Sequence, residues 1–314
     1  LRLPARAKKA IMSLPNTQVL SRRENDQLRH RIADWLQELP GIAQAIRRIG
    51  PHLLVGGSLI GLLIVTAIFA PWLAPYAPEM MQADHRLLAP SLAHPFGTDA
   101  LGRDLFSRVV YGARVALLMA LPAVLLGTIP GIGLGLLSGY YRGWLDHGCS
   151  RVMDAWMAFP GLLLAIVMVA WMGPSLVTTV VALSIIGIPG YYRLARNGTL
   201  STRHELYVEA AQTLGYSDWR IILRHVLPNL ASPLLIYLSL RMGSVLLAAG
   251  GLSFIGLGAQ PPTPEWGVLL AAGRDSLDRA WWLALFPGMA IAGSVLGFNL
   301  LGDGLRDWFD VKSK

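Results

Sequence analysis

Along the chain, apolar runs of about 20 residues, the length needed to cross a hydrocarbon core, alternate with short polar or proline-rich segments. Six such runs occur, at roughly 53–74, 113–138, 152–172, 176–194, 230–250 and 282–302. The third and fourth are divided only by Gly173, Pro174 and Ser175, a tight turn that makes them antiparallel neighbours. The pattern predicts an all-α membrane protein with six transmembrane helices. Two stretches break it. Residues 1–50 are polar and basic, with helical spacing of Ile32, Trp35, Leu36 and Leu39, then Ile42, Ile46 and Ile49. They read either as an arm ending in a helix on the membrane surface or as a solvated tail. Residues 207–229 form a charged and aromatic hairpin between the fourth and fifth runs.

Composition supports the membrane reading. Of 314 residues, 54% are hydrophobic and only 15% charged, against about a quarter charged in soluble domains. The net charge of +8 is concentrated in segments flanking the apolar runs. No basic stripe interleaved with stacking aromatics is present, which argues against nucleic acid and for contact with lipid. With the N-terminus inside, the inner segments collect twenty Lys and Arg and the outer ones five, Arg86, Arg103, Arg108, Arg274 and Arg279. That asymmetry places both termini and the polar hairpin in the cytoplasm. Trp72, Tyr76, Trp281 and Trp282 at one face, with Tyr140, Tyr141 and Trp144 at the other, suit an aromatic belt. Residues 1–50 lack an apolar stretch followed by a small-residue cleavage site, so they do not read as a secretory signal. Cys149 is the single cysteine, which excludes an intrachain disulfide and a cysteine-clustered metal site. His52, His85, His94, His147, His204 and His225 are too dispersed to suggest a bound metal.

Inside the spans, Gly127, Gly131, Gly135 and Gly139 recur every four residues on one helix face. Small residues at that spacing allow backbones to approach closely, against another span of this chain or against a second subunit. Ionisable residues are scarce there, apart from Asp154 and Arg241. A self-powered, ion-coupled carrier needs intramembrane carboxylates or histidines and is disfavoured. Arg241 either lines a polar path or snorkels to a local carbonyl.

In the hairpin, Glu205 to Leu214 favours helix and Gly215 suits a left-handed stop. Ser217 and Asp218 suit the start of a second helix, which Pro228 is expected to close before the fifth span. The two alanines, Ala210 and Ala211, leave room for a partner's surface. These residues resemble the EAA loop of bacterial ABC importer permeases: Glu209, Ala210, Ala211, three residues, Gly215, then Leu227 and Pro228. The resemblance implies a type I importer permease fold in which residues 203–228 form a coupling helix for a cytoplasmic ATPase. His225 departs from the isoleucine usual there.

Four further stretches, 94–114, 151–166, 251–267 and 298–310, resemble the C-type permease of dipeptide, oligopeptide and nickel importers. With them the resemblance covers most of residues 53–310, leaving the arm outside it. It implies a homologous B-type permease, two ATPase subunits and an extracytoplasmic substrate-binding protein as partners, in the bacterial inner membrane. Residue by residue, GTDALGRD also reads as a turn in which Asp99, Arg103 and Asp104 bond locally, and QPPTPEWG as a rigid structural cap. No lysine lies between Lys9 and Lys312, so the chain holds no lysine-bearing phosphate loop. It is expected to be non-catalytic and without a cofactor, its partners binding ATP and Mg. Peptides are the expected cargo, with nickel, metal chelates or glutathione as alternatives and a passive channel as a distant one.

Overall fold

The computed structural model describes residues 50–312, with side chains to residue 309. The basic arm, with the surface helix expected in it, lies outside the described residues except for Gly50. Among those described, the chain is helical: α1 Pro51–Leu73, α2 Leu105–Tyr141, α3 Gly143–Met157, α4 Gly161–Met172, α5 Leu176–Thr202, α6 Leu206–Thr213, α7 Asp218–Ile221, α8 Leu227–Phe254, α9 Trp266–Gly273 and α10 Trp282–Lys312. Short 3-10 turns occupy Ala83–His85 and Arg274–Ser276, and a π turn at Ile222–Val226 joins α7 to α8.

Five helices are long and apolar enough to cross a membrane: α1, α2, α5, α8 with its π-linked extension, and α10. The sixth run differs from the expected straight span at 152–172. It is split into α3 and α4, bent by 85° across the break, and is one crossing only if the bent pair is counted together. Pro160 is the cause. It has no amide hydrogen to give to a continuing helix, and it pushes the preceding Phe159 out of helical geometry. The 12 residues of α4 extend only about 18 Å, short of a hydrocarbon core of about 30 Å.

The bundle is organised by α2 and α5, which pack along their length, while α1 and α10 close the other side of α2 and α8 bridges α10 to α5. The glycine stripe faces α5. A Cβ on Gly127 would lie 2.6 Å from the Ser184 carbonyl oxygen, and one on Gly135 2.6 Å from that of Tyr192. Gly131 meets the Tyr191 Cβ at 2.7 Å, and Gly139 the Arg196 carbonyl at 2.8 Å. Within a bilayer, apolar side chains gain little by leaving lipid for each other, so backbone approach of this kind supplies the dispersion contact. Around the bundle, Leu62, Ile129, Val167, Trp171 and Val177 remain exposed, as a lipid-facing surface requires.

At the proline-rich end several buried polar groups bond one another, although Arg108 Nε has no hydrogen-bond partner. Asp99 accepts from the Arg103 guanidinium at 2.7 Å and from the Leu101 and Arg103 amides at 2.9 and 3.0 Å. Asp104 caps α2 by accepting from the Ser107 amide and hydroxyl, each at 2.7 Å, and its second oxygen meets His94 Nδ1 at 2.9 Å. Glu265 caps α9 through the Val268 amide at 2.9 Å, and burial pushes its carboxyl above the usual range. Trp282 does not join an aromatic belt: it is buried and donates to the Thr98 carbonyl at 3.2 Å. Tyr140 is likewise buried, whereas Trp72 and Trp144 are exposed.

Gly135→Ala is expected to force α2 and α5 apart, at a cost of about 1–3 kcal/mol. Gly133, whose Cβ would meet nothing within 4 Å, serves as the control, and Gly133→Ala should be neutral or slightly stabilising. Thermal unfolding in detergent checks both; equal melting temperatures for the two variants would refute the packing argument.

Candidate functional site

The polar hairpin forms a compact knob at one end of the bundle. In α6 the residues at helical spacing divide into two faces. Val208 and Ala211 are buried against Ile221, Ile222, Val226, Leu230 and Leu234, and against Leu136 and Tyr140 from the end of α2. Leu206, Tyr207, Glu209 and Ala210 point outward. Only one of the two alanines therefore offers room to a partner: Ala211 is 3% exposed and belongs to the knob's own core.

Gly215 ends α6 with φ +76°, a backbone region that side chains with a Cβ rarely adopt. The Gly215 amide donates to the Gln212 carbonyl at 2.9 Å and the Tyr216 amide to that of Ala211 at 3.1 Å, the paired bonds of a Schellman cap. Ser217 occupies the N-cap position of α7 without a side-chain bond. Asp218 instead accepts from the Tyr140 hydroxyl at 2.9 Å. Arg203 donates to the Tyr140 carbonyl at 2.8 Å, with its guanidinium 5.8 Å from the ring centre. Both ends of the hairpin are thereby tied to the last turn of α2.

Pro228 does not close the second helix. The chain widens into the π turn, in which the Leu227 amide reaches the Ile222 carbonyl, and Pro228 then stands in the first turn of α8. A first-turn proline needs no amide hydrogen, and the wider turn leaves space for its ring. The result is an unbroken helical path from Asp218 to Phe254. Leu227 packs on the knob's core and Pro228 is exposed. Asn229 fixes the junction by donating to the Tyr207 hydroxyl and to the His225 carbonyl, each at 2.7 Å. Burial, with help from nearby Glu205, raises the Tyr207 phenol above its ordinary pKa.

The outward face is apolar for a polar hairpin. Leu206 is 81% exposed, Leu214 72%, Trp219 58% and Leu223 53%. Large apolar side chains left exposed on a projecting element are candidates for a protein contact. The motif reading missed them, although their placement on an otherwise charged hairpin was visible in the sequence. A second feature it missed lies at the base of the knob. Asp146 of α3 accepts from Arg196 Nη2 and the Ser138 hydroxyl, each at 2.7 Å, and is also bonded by Arg196 Nε. The Tyr192 hydroxyl lies 2.8 Å from that of Ser138 and 3.0 Å from that of Ser150. This network joins α2, α3 and α5 beneath the hairpin.

The profile of the inner membrane component of binding-protein-dependent transport systems matches residues 131–314. The chain belongs to this family. The N-terminal transmembrane domain of oligopeptide transport permease C matches residues 53–90, which assigns this permease to the C-type branch. It is 45% identical over 270 residues to the glutathione transport system permease protein GsiD of Pectobacterium atrosepticum, covering 85% of this chain and 90% of that protein. It is 46% identical to the di/tripeptide transport system permease protein DppC of Pseudomonas aeruginosa, covering 83% and 88%. A solved structure of the inward-facing MetNI methionine ABC transporter shares the type I importer permease fold. Its TM-score is 0.53 at 16% identity, over 65% of this chain and 96% of that one.

The permease motif residues Glu209, Ala210, Ala211, Gly215, Leu227 and Pro228 thus all lie in the knob, on its face or in its core. Arg241 is elsewhere, midway along α8 between α8 and α5. Among the described residues, no cluster of three or more His, Cys, Asp or Glu could hold a metal ion.

In Gly215→Val the new Cβ would meet nothing within 4 Å, so the main effect is expected from the backbone. Forcing a β-branched residue into the left-handed region costs roughly 1–2 kcal/mol. Amides of α6 are then expected to exchange with deuterium about 5- to 30-fold faster. Unchanged exchange would show that the cap does not hold the knob. Asp146→Ala, which leaves Arg196 without its partner, is expected to lower the stability by about 1.5–3 kcal/mol, read as a drop in detergent melting temperature that Asp154→Ala, at an exposed pair, does not share.

Proposed function

We propose that this permease is one half of the translocation pathway of an ATP-driven importer of di- and oligopeptides. The observation that carries the reading is the knob, a braced hairpin that exposes Leu206, Leu214 and Trp219 and continues without a break into a spanning helix. A surface of that kind takes a push from a partner and passes it into the bundle. The partners are a homologous B-type permease, two ATPase subunits that bind ATP and Mg, and an extracytoplasmic binding protein that delivers the cargo. The basic segments favour both termini and the knob in the cytoplasm of a bacterial inner membrane.

In this mechanism the ATPases close on ATP and move the knobs of both permeases, rocking one against the other so that the path opens outward. Hydrolysis resets the inward-open state. ATP shifts this equilibrium only as far as it binds one state better than the other. Peptides are supported by the relatives named for di/tripeptide and oligopeptide transport. Glutathione is the second reading, supported by relatives named for it; it too is a peptide with free carboxylates.

Co-purification from a native bacterial membrane in mild detergent, followed by mass spectrometry, tests the assembly. Recovery of a second six-span permease and ATPase subunits is expected. Recovery of this chain alone, where other membrane complexes survive, would favour a passive channel. In the recovered complex, Gly215→Val should lower both peptide uptake and substrate-stimulated ATP hydrolysis, and wild-type levels of both would refute the coupling role of that bend.

A further inference from the structure

Near the middle of the 28-residue α8, Tyr237 and Arg241 stand one turn apart on the same side and turn toward α5. Their polar ends enter the space above two glycines. The Tyr237 hydroxyl lies where a side chain on Gly190 would begin, and Arg241 Nη2 lies 3.4 Å from the place of a Cβ on Gly187. The Tyr191 ring meets that of Tyr237 edge-on, with centres 5.2 Å apart. One polar atom in this group is left over: Arg241 Nε is buried without a hydrogen-bond partner, while the Tyr191 hydroxyl interacts with Arg241 and Thr128. Among the described residues, no carboxylate forms an ion pair with Arg241.

An arginine cannot shed its charge by losing a proton, and a charge at this depth in a bilayer is expensive unless something anionic meets it. Lipid phosphates lie at the ends of the helices, so the matching group comes either from the protein assembly or from a solute passing through it. We infer that Arg241, with Tyr237 and Tyr191, is a station for the carboxylate of a solute crossing the membrane. The guanidinium fork matches a carboxylate bidentately, and the phenols supply further donors. The residue remains partly accessible, as a transient contact requires. The inference rests on the peptide-import reading and sharpens it, because a fixed positive charge favours carboxylate-bearing cargo and opposes a bare divalent cation.

The test is uptake of a free-acid dipeptide by the whole transporter in proteoliposomes, with its binding protein, for wild type, Arg241→Gln, Arg241→Lys and Ser244→Ala as a control on the same helix. Arg241→Gln is expected to lower uptake about tenfold, and Arg241→Lys, which keeps the charge but loses the bidentate fork, to recover part of it. A fall of less than threefold in Arg241→Gln overturns the inference. So does an equal loss in both variants with the assembly intact, which would make the residue a packing element. Loss of the partner permease from both variants also overturns it, assigning Arg241 to a carboxylate of that subunit. Should only Arg241→Gln fail to assemble, Tyr237→Phe decides: reduced uptake supports the station and unchanged uptake overturns it. A wild type that moves neither dipeptide nor glutathione refutes the peptide reading itself, and the inference with it.

Discussion

The close approach of α2 and α5 sets the position of everything else in the bundle. Water drives apolar side chains together in a soluble core, but lipid does not, so two spans hold to each other through dispersion at short range. The four glycines of α2 bring its surface against the backbone of α5 from Ser184 to Arg196. Once that contact is made, the end of α2 lies beside the end of α5. Leu136 and Tyr140 can then receive the knob's apolar face, and Arg196 can reach Asp146. The hairpin is therefore mounted on two helices at once: it grows from α5 and rests on α2.

That mounting ties the knob directly to a spanning helix. Asp218 is anchored to α2 through Tyr140 and is also the first residue of a continuous 37-residue helical path. Such a path is about 55 Å long, enough to carry a displacement at the knob through the whole thickness of a bilayer. A helix broken at Pro228 would have absorbed the displacement in a hinge. The π turn stands just before this proline, and the helical path runs on past Pro233 to Phe254.

Most of the fold was legible because its signals are local. Apolar length marked the spans, Gly215 marked a left-handed stop, and the period of four glycines marked a packing face. The failures share a different cause. The break between α3 and α4 depends on how the chain resolves a proline that follows an apolar run, and length alone reads through it. Ala210 and Ala211 are equivalent in sequence, but one turns outward and the other inward, and only the position of α2 decides which. Asp146 was invisible as a site residue because it and its partners, Ser138, Ser150 and Arg196, come from three helices and from no motif.

The two ends of the molecule handle polar groups in opposite ways, and this bears on where partners can act. At the proline-rich end, His94, Asp99, Arg103 and Asp104 are each less than a tenth exposed and are consumed by bonds to each other and to the backbone. GTDALGRD is thus a turn that locks the start of α2, and its charges are not offered to a ligand. At the knob, Glu209, Gln212 and Arg220 are exposed beside exposed apolar side chains. A satisfied buried network resists rearrangement, because each lost bond leaves a desolvated group behind, whereas an exposed face exchanges water for a partner at little cost.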